Sequence, residues 1–262
     1  MTPSRITAPA VNAPVAIVTG ASRGIGRATA LMLAAQGALV MAVGRDQELL
    51  DSLARQQPIL TLAVDLASDS GCEQVVAVTR RRLGPIAILI NNAGRGGVHD
   101  RVIWEQDPSD WEQTLAVNLT APFALTRLAV TDMRDARWGR IVMVSSTAGV
   151  VGAPALGPYS ASKHGLIGLA RSVAHDVAPY GVTCNAVLPG WVRSQQSDAD
   201  AEREAQLRGI DAGQVWRERA ASYPAGRIVK AEEVASVITF LVSEQASGVN
   251  GETITVALGS SW

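Results

Sequence analysis

Only two cysteines and three histidines occur among 262 residues. Cys72 and Cys184 lie far apart, with no Cys-x-x-Cys or Cys/His grouping, which excludes a disulfide framework or a zinc site and suits a reducing compartment. His99, His164 and His175 show no ligand spacing, so no metal is expected. An excess of charge is missing as well: 23 Lys and Arg against 24 Asp and Glu leave a net charge of -1, without the basic surplus that a nucleic-acid partner requires. The longest apolar run, 28–43, is divided by Gln36-Gly37 into a helix and a strand, each too short to cross a membrane. Residues 1–13 are rich in Pro, Ala and Thr and lack the apolar core of a signal peptide. They are expected to be a disordered tail ahead of one domain, 14–262, in the cytoplasm.

Strands alternate with helices along that domain. Val15-Ala16-Ile17-Val18-Thr19 reads as a strand buried on both faces. It leads into Gly20-Ala21-Ser22-Arg23-Gly24-Ile25-Gly26, where glycines let backbone N–H groups approach a pyrophosphate and a helix over 24–36 points its positive end at the anion. Further strands are expected at 39–43, 59–64, 86–90, 141–144, 182–188 and 253–256, which indicates an α/β, doubly wound parallel sheet of about seven strands with helices on both faces. Ligands then belong at the carboxyl ends of the strands. The second strand ends in Gly44-Arg45-Asp46. With no carboxylate at Gly44 and guanidiniums at Arg45 and Arg23, a 2′-phosphate is accommodated and NADP(H) is favoured, while Asp46, also read as a helix cap, keeps NAD(H) open. Asp65 and Leu66, after the third strand, stand where a carboxylate meets the adenine, or where a helix cap is needed. Asn92, Ala93 and Gly94 follow the fourth strand and allow close cofactor access.

Tyr159 and Lys163 share one helix face, and the strand through Val144 delivers the Ser146 hydroxyl near them. Bringing a phenol from about 10 to about 7 takes roughly 4 kcal/mol. An ammonium about 4 Å away supplies on the order of 4 kcal/mol at an effective dielectric near 20, so Lys163 is expected to lower the tyrosine. A helix over 108–133 carries Trp111, Leu115, Val117, Leu119, Phe123 and Leu128 as its expected packing face, interrupted by Asn118. The polar stretch 195–227 reads as a substrate lid.

Taken in order, the glycine turn from Thr19 to Gly26, Asn91-Asn92-Ala93-Gly94, Asn118, Ser146, Tyr159-Ser160-Ala161-Ser162-Lys163 and Pro189-Gly190 resemble the short-chain dehydrogenase/reductase superfamily, in its 3-oxoacyl reductase-like branch. The resemblance covers about 14–256. It implies hydride transfer between NADP(H) and a small ketone or secondary alcohol, with Tyr159 as acid/base, Ser146 orienting the oxygen, Lys163 on the nicotinamide ribose and Asn118 holding a relay water. It further implies that Pro189, Gly190, Val192 and Ser194 meet the cofactor and that the chain forms a homotetramer, or at least a dimer. Two readings stay open: a carrier-bound substrate docked by Arg134, Arg137 and Arg140, and an anionic substrate selected by Arg95, His99 and Arg193, each set against solvated side chains. The ending Val256-Ala257-Leu258-Gly259 departs from the family's usual Val-Asp-Gly-Gly, which leaves open whether the apolar terminus at Trp262 reaches a neighbouring subunit.

Overall fold

The computed structural model describes residues 13–96 and 101–260. Most of the expected tail, together with His99 and Trp262, lies outside the described residues. Seven strands, β1 (Val15–Thr19), β2 (Leu39–Gly44), β3 (Leu60–Ala63), β4 (Ile86–Asn91), β5 (Gly139–Val144), β6 (Val182–Pro189) and β7 (Thr253–Val256), form one sheet in the order β3-β2-β1-β4-β5-β6-β7. Every pairing is parallel. The chain winds outward in both directions from β1 and β4, and that reversal opens a crevice at their carboxyl ends.

Alternate residues of each strand feed two cores. Val18, Ile90, Val142 and Val187 pack with Leu33 of α1 (Gly24–Ala35), Leu50 of α2 (Gln47–Ala54) and Ile238 of α9 (Ala231–Leu241). On the other face, Ile17, Leu89, Ile141 and Cys184 pack with Val75 of α3 (Gly71–Leu83), Leu125 of α5 (Ala121–Ala136) and Leu166 of α6 (Gly157–Val177). Burial on both faces accounts for the near-continuous apolar strands.

The helix expected over 108–133 is divided: α4 (Pro108–Leu115) passes into a π-helical turn, Ala116–Thr120, before α5. The extra residue in that turn rotates the faces on either side. Thr114, Asn118, Ala121, Leu125, Ala129 and Met133 are buried, whereas Trp111 is 43% and Phe123 52% exposed. The expected packing face is therefore corrected; a uniform period cannot follow a helix that changes pitch midway. The stretch 195–227 holds α7 (Gln195–Arg208) and α8 (Ala212–Ala221) with a small core of their own, Ala201, Ala205, Val215 and Trp216.

Candidate active site

The glycine turn after β1 and the Asn92–Gly94 segment after β4 are locked across the crevice. The Thr19 hydroxyl accepts from the Asn92 and Ala93 amides, both at 2.9 Å, and the Asn92 side chain donates to the Thr19 carbonyl at 2.8 Å. Gly26 has to be glycine, because a Cβ there would overlap the Gly20 carbonyl and the Asn92 amide. Side chains cap α2 (Asp46), α4 (Asp107), α7 (Ser194) and α8 (Asp211), but none caps α1, whose first turn also carries no acid. Those N–H groups and the helix dipole fit a dinucleotide pyrophosphate.

The remaining cofactor candidates gather along the same edge. Gly44 leaves the space that Ser22 Oγ occupies. Arg23 pairs with Asp46 at 2.8 Å, and Asp46 also caps α2 by accepting from the Leu49 amide. Arg45 is exposed, with no ion-pair partner among the described residues. Asp65 accepts from the Ala67 amide at 3.0 Å in a local turn and does not cap α3, which begins at Gly71 behind Ser70. After β6, Gly190 lies against the hydroxyl of Tyr223, which accepts from the Trp191 amide at 2.6 Å. Val192 bridges to Val229, and Ser194 caps α7 close above Gly24. Pro189 closes β6, while Ile25 and Leu66 pack at the margins of the two cores.

Ser146, Tyr159 and Lys163 meet where β5 ends and α6 begins. Tyr159 and Ser146 share a side-chain hydrogen bond. Lys163, only 4% exposed, donates its ammonium to the Val144 carbonyl at 2.9 Å and stands 5.7 Å from the Tyr159 ring centroid. Burial pushes the lysine down to about 8. Burial also raises Tyr159; the Ser146 hydrogen bond opposes this and the Asp200 carboxylate on α7 adds to it. The expected lowering of Tyr159 by Lys163 is thus corrected: with its charge turned to a carbonyl and its own ionisation disfavoured, the lysine does not outweigh desolvation.

Asn118 is fully buried at the π-helical turn. It accepts from the Arg95 amide at 2.8 Å and donates to the Arg95 carbonyl at 2.9 Å and to Ser162 Oγ at 3.0 Å. Ser162 in turn donates to the Tyr159 carbonyl, and Ser145 to the Lys163 carbonyl. Sequence reasoning gave no part to Ser145, Ser162, Asp200 or Tyr223, because their value comes from partners that are distant in the chain or on backbone. The Arg95 guanidinium is bound to Asp110 and Gln113, and Arg193 to Asp198 with Trp216 beneath it, so both of these candidate anion selectors are engaged within the protein. Arg140 is buried and Arg134 pairs with Asp135, so two of the three arginines named for the open carrier-docking reading are engaged within the protein.

The model of the short chain dehydrogenase family matches residues 14–205. The chain belongs to the short-chain dehydrogenase family. As a short-chain dehydrogenase of the 3-oxoacyl reductase-like type it is an NAD(P)-dependent oxidoreductase of ketones and secondary alcohols. It is 35% identical to D-beta-hydroxybutyrate dehydrogenase of Cupriavidus necator over 247 residues, 92% of this chain and 95% of that protein. It is equally identical, 35% over 246 residues, to 3-oxoacyl-[acyl-carrier-protein] reductase of Escherichia coli, again at 92% and 95% coverage. Among solved structures, a variant of actinorhodin polyketide ketoreductase with NADPH superposes with a TM-score of 0.90 at 31% identity, covering 95% of this chain and 97% of that one. NAD+-bound xylitol dehydrogenase gives 0.87 at 29% identity, with 94% and 98% covered.

Proposed function

We propose that this short-chain dehydrogenase is an NADP(H)-preferring reductase of small ketones, reversible toward secondary alcohols, with Tyr159 as its acid/base group. The observation that carries the reading is the hydrogen bond between Tyr159 and Ser146 beside a buried Lys163 that has no carboxylate partner among the described residues. A phenol held high by burial is a proton donor at neutral pH, the form that ketone reduction needs. Ser146 hydrogen-bonds the carbonyl oxygen and steadies developing charge on it. Lys163, at about 8, is the group on this face that exchanges a proton near neutrality, and it replenishes Tyr159. Asn118 joins the π-helical turn, through Ser162, to the backbone of Tyr159, and the relay water is assigned to it by the family resemblance. When bound, the nicotinamide would supply the hydride. Gly20 to Gly26 and the α1 amides would hold its pyrophosphate, and Lys163 would meet its ribose.

The NADP(H) preference is supported by Arg45 and by the exposed Arg23–Asp46 pair, whose net worth in water is under about 1 kcal/mol and which yields readily to a phosphate. Residues 195–227 act as the lid, and the exposed Trp111 and Phe123 belong to a subunit interface of a homotetramer. No helix among the described residues is long and apolar enough to cross a membrane, in line with a cytoplasmic enzyme.

A second reading, a ketoacyl reductase on carrier-bound substrate, is favoured by similarity to the acyl-carrier-protein reductase and to the polyketide ketoreductase. The experiment is a panel of free ketones, free thioesters and a carrier-linked thioester with NADPH and NADH, following the absorbance of the reduced cofactor. The first reading expects turnover of free ketones, faster with NADPH, and a larger loss with NADPH than with NADH in Arg45→Ala. Turnover confined to the carrier-linked substrate establishes the second.

A further inference from the structure

α4 buries only polar side chains, Asp110 and Thr114, and the π-helical turn that follows it buries Asn118. Set four residues apart, the three form one inward stripe. A carboxylate, a hydroxyl and an amide contribute little apolar burial, so packing does not account for them. Arg95, which follows β4 on a short strap with Gly94, is tied to this side of the helix twice. Its backbone is gripped by Asn118, which accepts from the Arg95 amide at 2.8 Å and donates to the Arg95 carbonyl at 2.9 Å. Its guanidinium donates through one nitrogen to the Asp110 carboxylate and through another to Gln113 Oε1 at 2.8 Å.

The strap touches the groups around Tyr159. A Cβ on Gly94 would lie 3.5 Å from the Lys163 ammonium nitrogen and 3.7 Å from Asn118 Oδ1. From Asn118 the bonds run on to Ser162 Oγ at 3.0 Å, and from Ser162 to the Tyr159 carbonyl at 2.7 Å. The Arg95 side chain thus stands at one end of a connected path that finishes on the backbone of Tyr159. Asp110 is buried, the Arg95 side chain is 36% exposed, and the Arg95 Nε–H is buried with no partner among the described residues. A buried ion pair is often no more stabilising than apolar residues of similar volume, and an unmade hydrogen bond beside it adds a cost. What such a pair does provide is one fixed geometry.

We propose that Arg95 is a positioning residue for the reaction: anchored on α4 by Asp110 and Gln113, it holds the strap in place and thereby sets Asn118 and, through Ser162, Tyr159 beside Lys163. The proposal rests on the reading of Tyr159 as the acid/base group. Asn118 bonds both the N–H and the C=O of this one residue, so its amide follows wherever the strap goes. Without the side-chain anchor the strap and the amide are free to shift together. Proton and hydride transfer depend on orientation, and a misplacement of about 1 Å from a distant change costs as much as about 10²-fold in rate.

The test compares the wild type with Arg95→Met, Asp110→Asn, the double variant and Arg95→Lys on a ketone that the wild type reduces with NADPH, reading kcat, KM and Tm, with Tyr159→Phe as the inactive reference. The expected result is a kcat about 10–100-fold lower in either single variant, with KM for ketone and for NADPH within about threefold of the wild type. The double variant should lose no more than either single one, because the two residues act as a unit, and Arg95→Lys, which keeps a cation beside Asp110, should recover part of the loss. Asp110→Asn keeps the test open where Arg95→Met fails to fold, since the released guanidinium is exposed enough to turn to water. A wild-type kcat in Asp110→Asn overturns the proposal whatever its Tm, because the pair is then structural only. Losses that add in the double variant, or a rise in KM alone, overturn it as well. Reduction at the wild-type rate by Tyr159→Phe is a different failure: the reading of Tyr159 falls, and the proposal with it.

Discussion

Two buried cations stand at opposite ends of β5 and are treated in opposite ways. Arg140, near its amino end, is neutralised by Glu244, stacked on Trp138 and bonded to two carbonyls. Lys163, at its carboxyl end, has one carbonyl and no carboxylate within ion-pair range among the described residues. Burial lowers both, but arginine stays charged in proteins whereas the lysine comes down to about 8. One end of the strand therefore carries a fixed charge that is compensated, and the other a charge left free to titrate. Stability is given up at the end where a proton has to move.

The largest contrast is expected from removing each cation. Lys163→Met should lower kcat by about 10²–10⁴ while Tm holds or rises, because an uncompensated buried amine is replaced by an apolar chain. Arg140→Met should do the reverse, costing about 1–3 kcal/mol of stability through orphaned hydrogen-bond partners and leaving turnover per folded molecule near normal. Denaturant melts paired with steady-state kinetics check both, and matching losses in the two variants would erase the comparison.

A smaller effect concerns pH. Lys163 sits at about 8 in the folded chain against 10.5 when exposed, so between these values the unfolded chain binds more protons. Its contribution to stability therefore rises with pH across that window; below about pH 8 the amine is charged in both states and the burial penalty is fully felt. The stability difference between wild type and Lys163→Met should rise by up to about 3 kcal/mol from pH 8 to 10.5, and a flat difference breaks the comparison. The smallest effect is expected at Asp200. Its carboxylate raises Tyr159, so Asp200→Asn should move the tyrosine limb of the pH–rate profile to lower pH. A move to higher pH counts against that placement.

The strands and the cofactor edge were legible in the sequence because apolar five-residue runs followed by Gly or Asn have few other readings. Asn118 was legible because it interrupts an apolar helix face, Ser146 because it follows an apolar strand, and Tyr159 and Lys163 because four-residue spacing sets them on one helix face. The π-helical turn was not, since a change of pitch leaves no mark on composition, and it misassigned Trp111 and Phe123 to the core. The direction of the Tyr159 shift was missed because spacing places Lys163 near the ring without saying that its ammonium turns to Val144. Arg140 resembled its neighbours Arg134 and Arg137 until the register put it inside.

The central claim is that Tyr159 gives the proton. Tyr159→Phe keeps the ring and removes only the hydroxyl, and the measurement is single-turnover ketone reduction with NADPH alongside a direct NADPH-binding titration. The account predicts a fall in rate of about 10²–10⁴ with cofactor affinity unchanged. Reduction at near-normal rate by Tyr159→Phe would contradict it.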